Sequence, residues 1–394
     1  MSNTLLEAPN ARPKLGYLAG VGTVFSLEMR QRMRSRGWYI MLAVWFVAIG
    51  LVTGLAALTS GIAEGTGQLM FELVVGFVLL FGLLVAPALS ANAITGDRSA
   101  GTLAILQNTL LTPGQLLWGK WLAAWVASLA FLVAAVPLIV WAMLYGDVYL
   151  PGVPVFLLML AVELGIVCAI GVGVSARANR PLFAIVSTYL VVALLGLGTL
   201  IGYGLSFSLV KEWVSVAQQE WPNDPWAQVE YDDNGMALDE NGDVIADQDA
   251  YFAMLNSQWD PNGYVCTPVT YETEIFHTER TTWLLAANPF VVVSDAVPTR
   301  SVGEAERYSS LGMGESVTGP MAGIREGVRF SQAGAEYQQP CIDGVKRTDP
   351  LPEGAPVWPL GLGIQALLAG GLVFLGRRRL VTPAGKLATG TRIA

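Results

Sequence analysis

Residues 155–174 read VFLLMLAVELGIVCAIGVGV, twenty positions with a single charged side chain, Glu163. An α-helix rises about 1.5 Å per residue, so a run of this length crosses a hydrocarbon core of ~30 Å. Working outward, five further runs have the same character: Trp38–Leu58, Met70–Leu89, Trp121–Leu144, Leu182–Leu205 and Val357–Leu375. In lipid the backbone groups must be satisfied by a helix or a closed barrel, and none of these runs alternates with the period of two that barrel strands need. The expected fold class is an all-α polytopic membrane protein with six transmembrane helices.

Composition agrees, since 53% of the 394 residues are hydrophobic and only 14% charged, too apolar for an ordinary soluble domain. The net charge of -8 hides two opposed regions. Residues 211–355 hold 24 Asp or Glu against 8 Lys or Arg, whereas the rest of the chain carries 15 basic and 7 acidic residues. Basic residues near spans mark the cytoplasmic side. They occur before span one (Arg12, Lys14, Arg30, Arg32, Arg34, Arg36), between spans two and three (Arg98, Lys120), after span four (Arg177, Arg180) and after span six (Arg377, Arg378, Arg379, Lys386, Arg392). Loops 59–69 and 145–154 contain no Lys or Arg. The expectation is a plasma-membrane protein with both termini cytoplasmic and residues 211–355 extracellular. The first apolar run is too long for a cleavable signal core and follows a polar tail, so it reads as an uncleaved anchor.

This divides the chain into a cytoplasmic tail (1–37), spans one to five (38–210) with a cytoplasmic loop at 90–118, an extracellular domain (211–355), span six (356–376) and a basic tail (377–394). Within the first tail, Gly16–Arg36 reads as an interfacial helix, with Val21, Phe25, Met29 and Met33 at helical spacing and arginines placed to reach lipid headgroups. A merely basic flank for span one is the alternative. The loop Ser90–Trp118 is long for an internal connection, which suggests that it docks a cytosolic partner. In the external segment, Asn234-Gly235, Asn241-Gly242 and Asn262-Gly263 are turn signals that favour hairpins. Trp283–Val293 is apolar but too short to span, and reads either as a core element or as a re-entrant piece. A small mixed α/β domain is expected. Cys266 and Cys341 both fall in this segment, where an oxidising exterior allows a disulfide; Cys168 lies within span four and reads as a small buried hydrophobe.

Signals for catalysis are weak. Gly114, Gly119 and Lys120 nearly spell a phosphate-binding loop, but Trp121 stands where the magnesium-binding Ser or Thr belongs and no strand precedes it. The acidic stretch Asp232–Asp249 lacks a calcium loop's Gly and Glu: counted from Asp239, the sixth position is Val244 and the twelfth Ala250. His277 is the single histidine, insufficient for a multi-histidine zinc site, and reads as structural. Glu163 and Glu72 are charges within spans, which are costly and mark either a pathway or a polar contact between helices. Glu163 is near mid-span; Glu72 is near an outer end. Gly198 and Gly202 have the spacing of a close helix contact, within the chain or between chains.

Two stretches carry a resemblance. The sequence EMRQRMRSR, residues 28–36, resembles the basic entry helix of ABC transporter type-2 (exporter-type) permeases. More specific is ITGDRSAGTLAILQNTLLTPGQLLWGK, residues 94–120, which is similar to that family's signature through Asp97, Arg98, Gly101, Thr102, Leu103, Thr112, Pro113, Gly119 and Lys120. GVGVSARANRP at 171–181 resembles a further recurrent stretch. Asp97 stands where Glu is commoner, Ala104 where an acidic residue is frequent and Leu110 where Pro often follows, which blurs the side chains that meet the partner. The insert 211–355 is larger than many members carry, so its role does not transfer.

The resemblance implies a permease subunit that pairs with a second permease chain, as homo- or heterodimer, and with cytosolic ABC ATPase subunits that bind ATP and magnesium. No cofactor and no catalytic residue is expected in this chain, nor a nucleic-acid partner. ATPase closure is expected to act through the 94–113 loop, with Asp97, Arg98, Gly101, Thr102, Leu103, Leu106 and Pro113 as coupling residues and the substrate moved outward. On that reading Asp97 and Arg98 pair across a wet interface while Leu103 and Leu106 insert into an apolar groove. The competing reading is a non-transporting sensor or assembly scaffold displaying the acidic segment. An ion-coupled transporter would need paired ionisable groups near the midplane, and spans three, five and six offer no charged residue.

Overall fold

The computed structural model describes residues 16–60, 66–103, 111–144, 146, 148–227, 229–233, 235–239, 242–260, 263–298, 319–342, 344–347 and 354–380. Leu106, Ala104, Leu110, Arg12, Lys14, Lys386, Arg392 and the turn residues Asn234, Asn241 and Asn262 lie outside them. The protein is mostly helical, and six of the described helices are long and apolar enough to cross a membrane. The spans are helices α2 (Arg36–Ser60), α3 (Thr66–Ser90), α5 (Pro113–Leu144), α6 (Gly152–Arg177), α7 (Pro181–Ala193) and α13 (Trp358–Leu380), with α1 (Tyr17–Met33) before them and a short α4 (Thr95–Ser99) between the second and third. A π-helical turn, Leu194–Gly198, joins α7 to α8 (Thr199–Ser206), which completes the fifth span.

Contacts divide the chain into two compact units. The first comprises the described residues within 1–204, 282–328 and 355–394, and the second those within 205–281 and 329–354. The acidic segment is therefore not one compact body: its apolar portion packs with the spans. In the first unit α6 lies against α13, and backbones meet where side chains are smallest. A Cβ on Gly173 would fall 2.8 Å from the backbone of Leu372, and one on Gly376 would fall 2.7 Å from Cβ of Ala176. Close approach of this kind supplies the dispersion contacts that hold helices together in lipid. Gly196 and Gly202 instead have open space beside them, and Gly198 meets only its own turn and the preceding one. The Gly198/Gly202 spacing is thus not a helix contact within this chain. Trp121 and Trp125, stacked at 5.2 Å, donate their indole N–H groups to the carbonyls of Gly165 and Ala161.

Trp283–Val293 becomes a broken helix, α10 (Trp283–Ala286) and α11 (Pro289–Ala296), separated by Asn288, whose side chain accepts from the Phe290 amide. Val291, Val292 and Val293 are buried in the first unit. Helix α12 (Pro320–Ala333) follows.

The second unit is built on an antiparallel ribbon, β1 (Lys211–Glu220) with β2 (Val265–Phe276), in register Lys211↔Phe276 and bulged between Ala217 and Gln219. Strands β3 (Cys341–Ile342) and β4 (Val345–Lys346) form a second small pair, and Cys341 is bonded to Cys266 of β2. Between the ribbon strands the bridges Tyr231↔Ala237 and Leu238↔Val244 bracket Gly235 and Gly242, both at positive φ, as the turn signals anticipate. The helix α9 (Gln248–Gln258) was not anticipated: Asp247 caps it by accepting from the Ala250 amide. Asp232 and Asp239 accept from the amides of Met236 and Asp243, so these carboxylates organise turns.

His277 lies between two carboxylates, Nε2 at 2.9 Å from Glu212 and Nδ1 at 2.8 Å from Glu279. An imidazole with an acceptor on each nitrogen favours the doubly protonated ring. The hydrogen bond with Glu212, then that with Glu279, raises its pKa above the ordinary value, against opposing contributions from desolvation and then from Arg280. A raised folded-state pKa stabilises below the unfolded value of about 6.5, and that stability disappears as pH rises through the folded pKa. The thermal stability of the second unit in the full chain is expected to fall across that alkaline interval, and His277→Gln to flatten the profile there. Melting curves followed by proteolysis of residues 205–281 at stepped pH provide the check; an unchanged slope in the variant would assign the dependence elsewhere.

Candidate functional site

Helix α1 packs lengthwise on the first turns of α5, and the reason is a stripe with a spacing of four. Gly20, Val24, Glu28 and Arg32 face α5, so Phe25 and Met29 are only half-buried and Met33 is exposed. The packed face therefore shares only Val21 with the Val21/Phe25/Met29/Met33 stripe expected of an interfacial helix. On the α5 side, Thr112 and Gln115 form a capping box: the Thr112 amide donates to Gln115 Oε1 at 2.7 Å and the Gln115 amide to Thr112 Oγ1 at 3.3 Å. The remaining amide of Gln115 donates to the Tyr17 carbonyl at 3.2 Å. Gly119 lets Val24 approach, since a Cβ there would lie 2.6 Å from that of Val24.

Because α5 starts at Pro113, two turns before the expected span, Lys120 is drawn into the helix and is 1% exposed. Its ammonium pairs with Glu28 of α1 and, at 2.8 Å, with Asp97 of α4. Arg32 lies 3.9 Å from Glu28 and donates to the carbonyls of Leu89 and Ala123, joining the end of α3 to α5. Asp97 thus faces inward to a lysine of its own chain.

The described residues 94–103 of the loop have further fasteners. Ser175 of α6 accepts from the amides of Ile94 and Thr95 at 3.0 and 3.1 Å, holding the start of α4. Arg98 donates to the carbonyls of Ala178 and Ala176 at the end of α6. Gly101 turns the chain at φ 72°, a left-handed conformation that other residues adopt at a cost. Leu103 then inserts among Val24, Ile94, Leu116, Leu117, Val172 and Leu380. The groove expected for Leu103 is therefore within this chain. Pro113 occupies the first turn of α5, where its missing N–H costs nothing. Of the expected coupling residues, Thr102 remains exposed, next to exposed Ser99 and Ala100.

Within the spans the two carboxylates have different surroundings. Glu72 accepts from the Met321 and Ala322 amides, both at 2.9 Å, and from Gln68 at 2.7 Å. It caps α12, and Gly319 beside it leaves room for the carboxylate. Glu163 is fully buried in α6, and among the described residues neither of its oxygens has a hydrogen-bond partner. Beside it is Gln365 of α13, whose Oε1 is also unsatisfied while its Nε2 donates to the Ala287 carbonyl at 3.0 Å. From Ala287 a polar seam continues: Asn288 Nδ2 lies 2.9 Å from both the Gly196 carbonyl and Thr199 Oγ1, at the π-helical turn. Asp295 closes the seam, accepting from the Val357 and Trp358 amides at the start of α13.

Sequence reasoning singled out Lys120 and the stretch opening at Glu28 without foreseeing that they pair, and missed Ser175, Gln365, Asn288 and Asp295. Some left signals: Thr-Pro-Gly-Gln at 112–115 is a capping box, and Asn288-Pro289 is a cap followed by Pro at the first helical position. No protein-family model and no curated protein matches the chain.

Two outcomes follow from this geometry. Lys120→Met removes the buried ammonium that joins the half-buried Glu28 and Asp97, and is expected to destabilise the protein by about 1–3 kcal/mol, below the cost of breaking a fully buried pair. Adding Glu28→Gln and Asp97→Asn should restore most of the loss, as thermal unfolding in detergent will show. Glu163→Gln conserves volume and removes a carboxylate without partners, so unfolding temperature should hold or rise. Glu163→Ala should cost about 2 kcal/mol or more. Equal losses in both variants would mean that the carboxyl group itself is required.

Proposed function

We propose that the chain is the membrane-spanning permease subunit of an ATP-driven ABC exporter, with ATPase closure transmitted through the 94–113 loop and both termini on the ATPase side. The observation that carries this reading is the fastening of the loop. Residues 94–103 are tied to α1 and α5 through Lys120 and to α6 through Ser175 and Arg98, and Leu103 shares a buried cluster with residues of α1, α5, α6 and α13. A push on α4 therefore reaches several spans at once without slack, as a coupling lever requires. A scaffold that only displays an external segment has no use for such a connection.

The lever also defines what a partner reads. Asp97, Arg98 and Leu103 are engaged internally, so an ATPase groove would receive the exposed surface Ser99–Ala100 with Thr102. Hydrolysis, ATP and magnesium belong on the partner, and a second permease chain completes the path. Glu163 and the seam around Gln365 are the polar groups available inside the spans to respond when the helices shift.

The test is purification of the tagged full chain in mild detergent with mass spectrometry of bound proteins. An ABC ATPase is expected with the native sequence and is expected to be lost with Ala100→Glu plus Thr102→Arg, both at exposed positions, while chain yield holds. Absence of an ATPase under conditions that preserve a control ABC complex would overturn the proposal in favour of a sensor or scaffold.

A further inference from the structure

Helix α6 ends at Arg177, and a helix end leaves carbonyls without intrahelical donors. Two guanidinium groups from distant elements converge on them. Arg98 donates to Ala178 and Ala176, and Arg379 of α13 donates to the Arg177 carbonyl and to Asn179 Oδ1, the latter at 3.3 Å. The partial negative charge of a helix C-terminus, about half an elementary charge, offsets only part of what is gathered there. Arg98, Arg177 and Arg379 bring three positive charges, and Arg98 and Arg379 are close enough to repel one another. Among the described residues no carboxylate forms an ion pair with any of the three.

A cleft of ≈ 190 Å³ opens at this point, lined by Val174, Arg177, Ala178, Phe183, Leu372 and Arg379. Its composition is two-ended. Arg177 and Arg379 form a cationic end where α6 stops, while Val174, Leu372 and the exposed ring of Phe183 continue along the apolar spans. A small soluble anion would neutralise the arginines and leave the apolar wall bare. A hydrocarbon chain alone would cover the wall and leave the charges. A molecule with an anionic head and an acyl chain meets both demands, and guanidinium pairs with phosphate oxygens in bidentate fashion. We propose that the cleft at the end of α6 binds the phosphodiester headgroup of an anionic phospholipid, with an acyl chain lying along Phe183 and Leu372. The site rests on the orientation that puts the arginine-rich ends at the cytoplasmic leaflet, where anionic lipids concentrate, and is independent of the transporter reading. Since Arg177 ends α6 and Arg379 belongs to α13, a bound headgroup would join these two helices through a shared counter-ion.

The experiment is native mass spectrometry of the full chain in detergent, titrated separately with phosphatidylglycerol, phosphatidylcholine and inorganic phosphate. Phosphatidylglycerol is expected to be retained in preference to phosphatidylcholine, and Arg177→Gln plus Arg379→Gln to weaken it about thirtyfold. Phe183→Ser, a change at an exposed position, is expected to weaken it as well, which covers the case in which the arginine variant fails to fold. Arg30→Gln plus Arg34→Gln on α1 removes the same charge elsewhere and should leave retention unchanged. Equal loss in that control would reduce the effect to general electrostatics and overturn the site. Displacement of phosphatidylglycerol by millimolar phosphate, equal retention of phosphatidylcholine, or full retention in both cleft variants would overturn it too.

Discussion

The ammonium of Lys120 is the constraint around which the basic end of the spans is arranged. A lysine that is 1% exposed must either lose its charge or keep carboxylates against it, and here Glu28 and Asp97 arrive from two different elements. Desolvating three charges costs several kcal/mol per ion in an apolar setting, and well-packed apolar residues often serve stability as well or better. The arrangement is therefore poorly explained as a stabilising device alone. What it supplies is geometry: Lys120 is satisfied only when α1 lies along α5 and α4 folds back against both. The four-residue spacing of Gly20, Val24, Glu28 and Arg32 follows from the same demand, because only that stripe brings Glu28 to Lys120 while Gly20 and Val24 close on Gln115 and Gly119.

The same logic governs the polar groups deeper in the spans. A π-helical turn displaces the regular bonding of the fifth span, and the Gly196 carbonyl is taken up by Asn288. Irregular backbone at membrane depth is tolerated where protein covers it, and α10–α11 is that cover. Its own breaks are satisfied in turn by Gln365 at Ala287 and by the Asn288 cap, and Asp295 then caps α13. Gly361 lets α13 come close, since a Cβ there would lie 2.1 Å from the Ala286 carbonyl. Along this seam, among the described residues, the accounting does not close at Glu163 and Gln365, both retaining unsatisfied oxygens.

Legibility in the sequence followed the range of the interaction concerned. The spans were readable because run length against bilayer thickness is a local property, and all six predicted runs fall on helices. The Cys266–Cys341 pair was readable because few thiols were available, and the turns at Gly235 and Gly242 because positive φ selects glycine. The packed face of α1 was not, since Phe25 and Met29 look like better apolar anchors than Gly20 until Gln115 and Gly119 are placed opposite. Helix α9 was masked by neighbouring turn residues that give Asp247 its capping role. Lys120 was placed at the threshold of the span because hydropathy starts a span where lysines stop, whereas the capping box starts the helix two turns earlier. Glu72 was legible as unusual but not as a cap, because its partners lie some 250 residues away.

The residues that carry the resemblance to exporter permeases are, in this fold, mostly internal fasteners. Asp97, Arg98, Leu103, Gly119 and Lys120 spend their chemistry on α1, α5, α6 and α13, leaving Ser99, Ala100 and Thr102 as the outward surface. A transmission element needs this division. Side chains that join the lever to the spans must be fixed in geometry, whereas those that meet a partner need only present a complementary shape. A displacement of α4 would act on α1 and on the ends of α5 and α6 together, because Lys120, Ser175 and Arg98 hold it to all three.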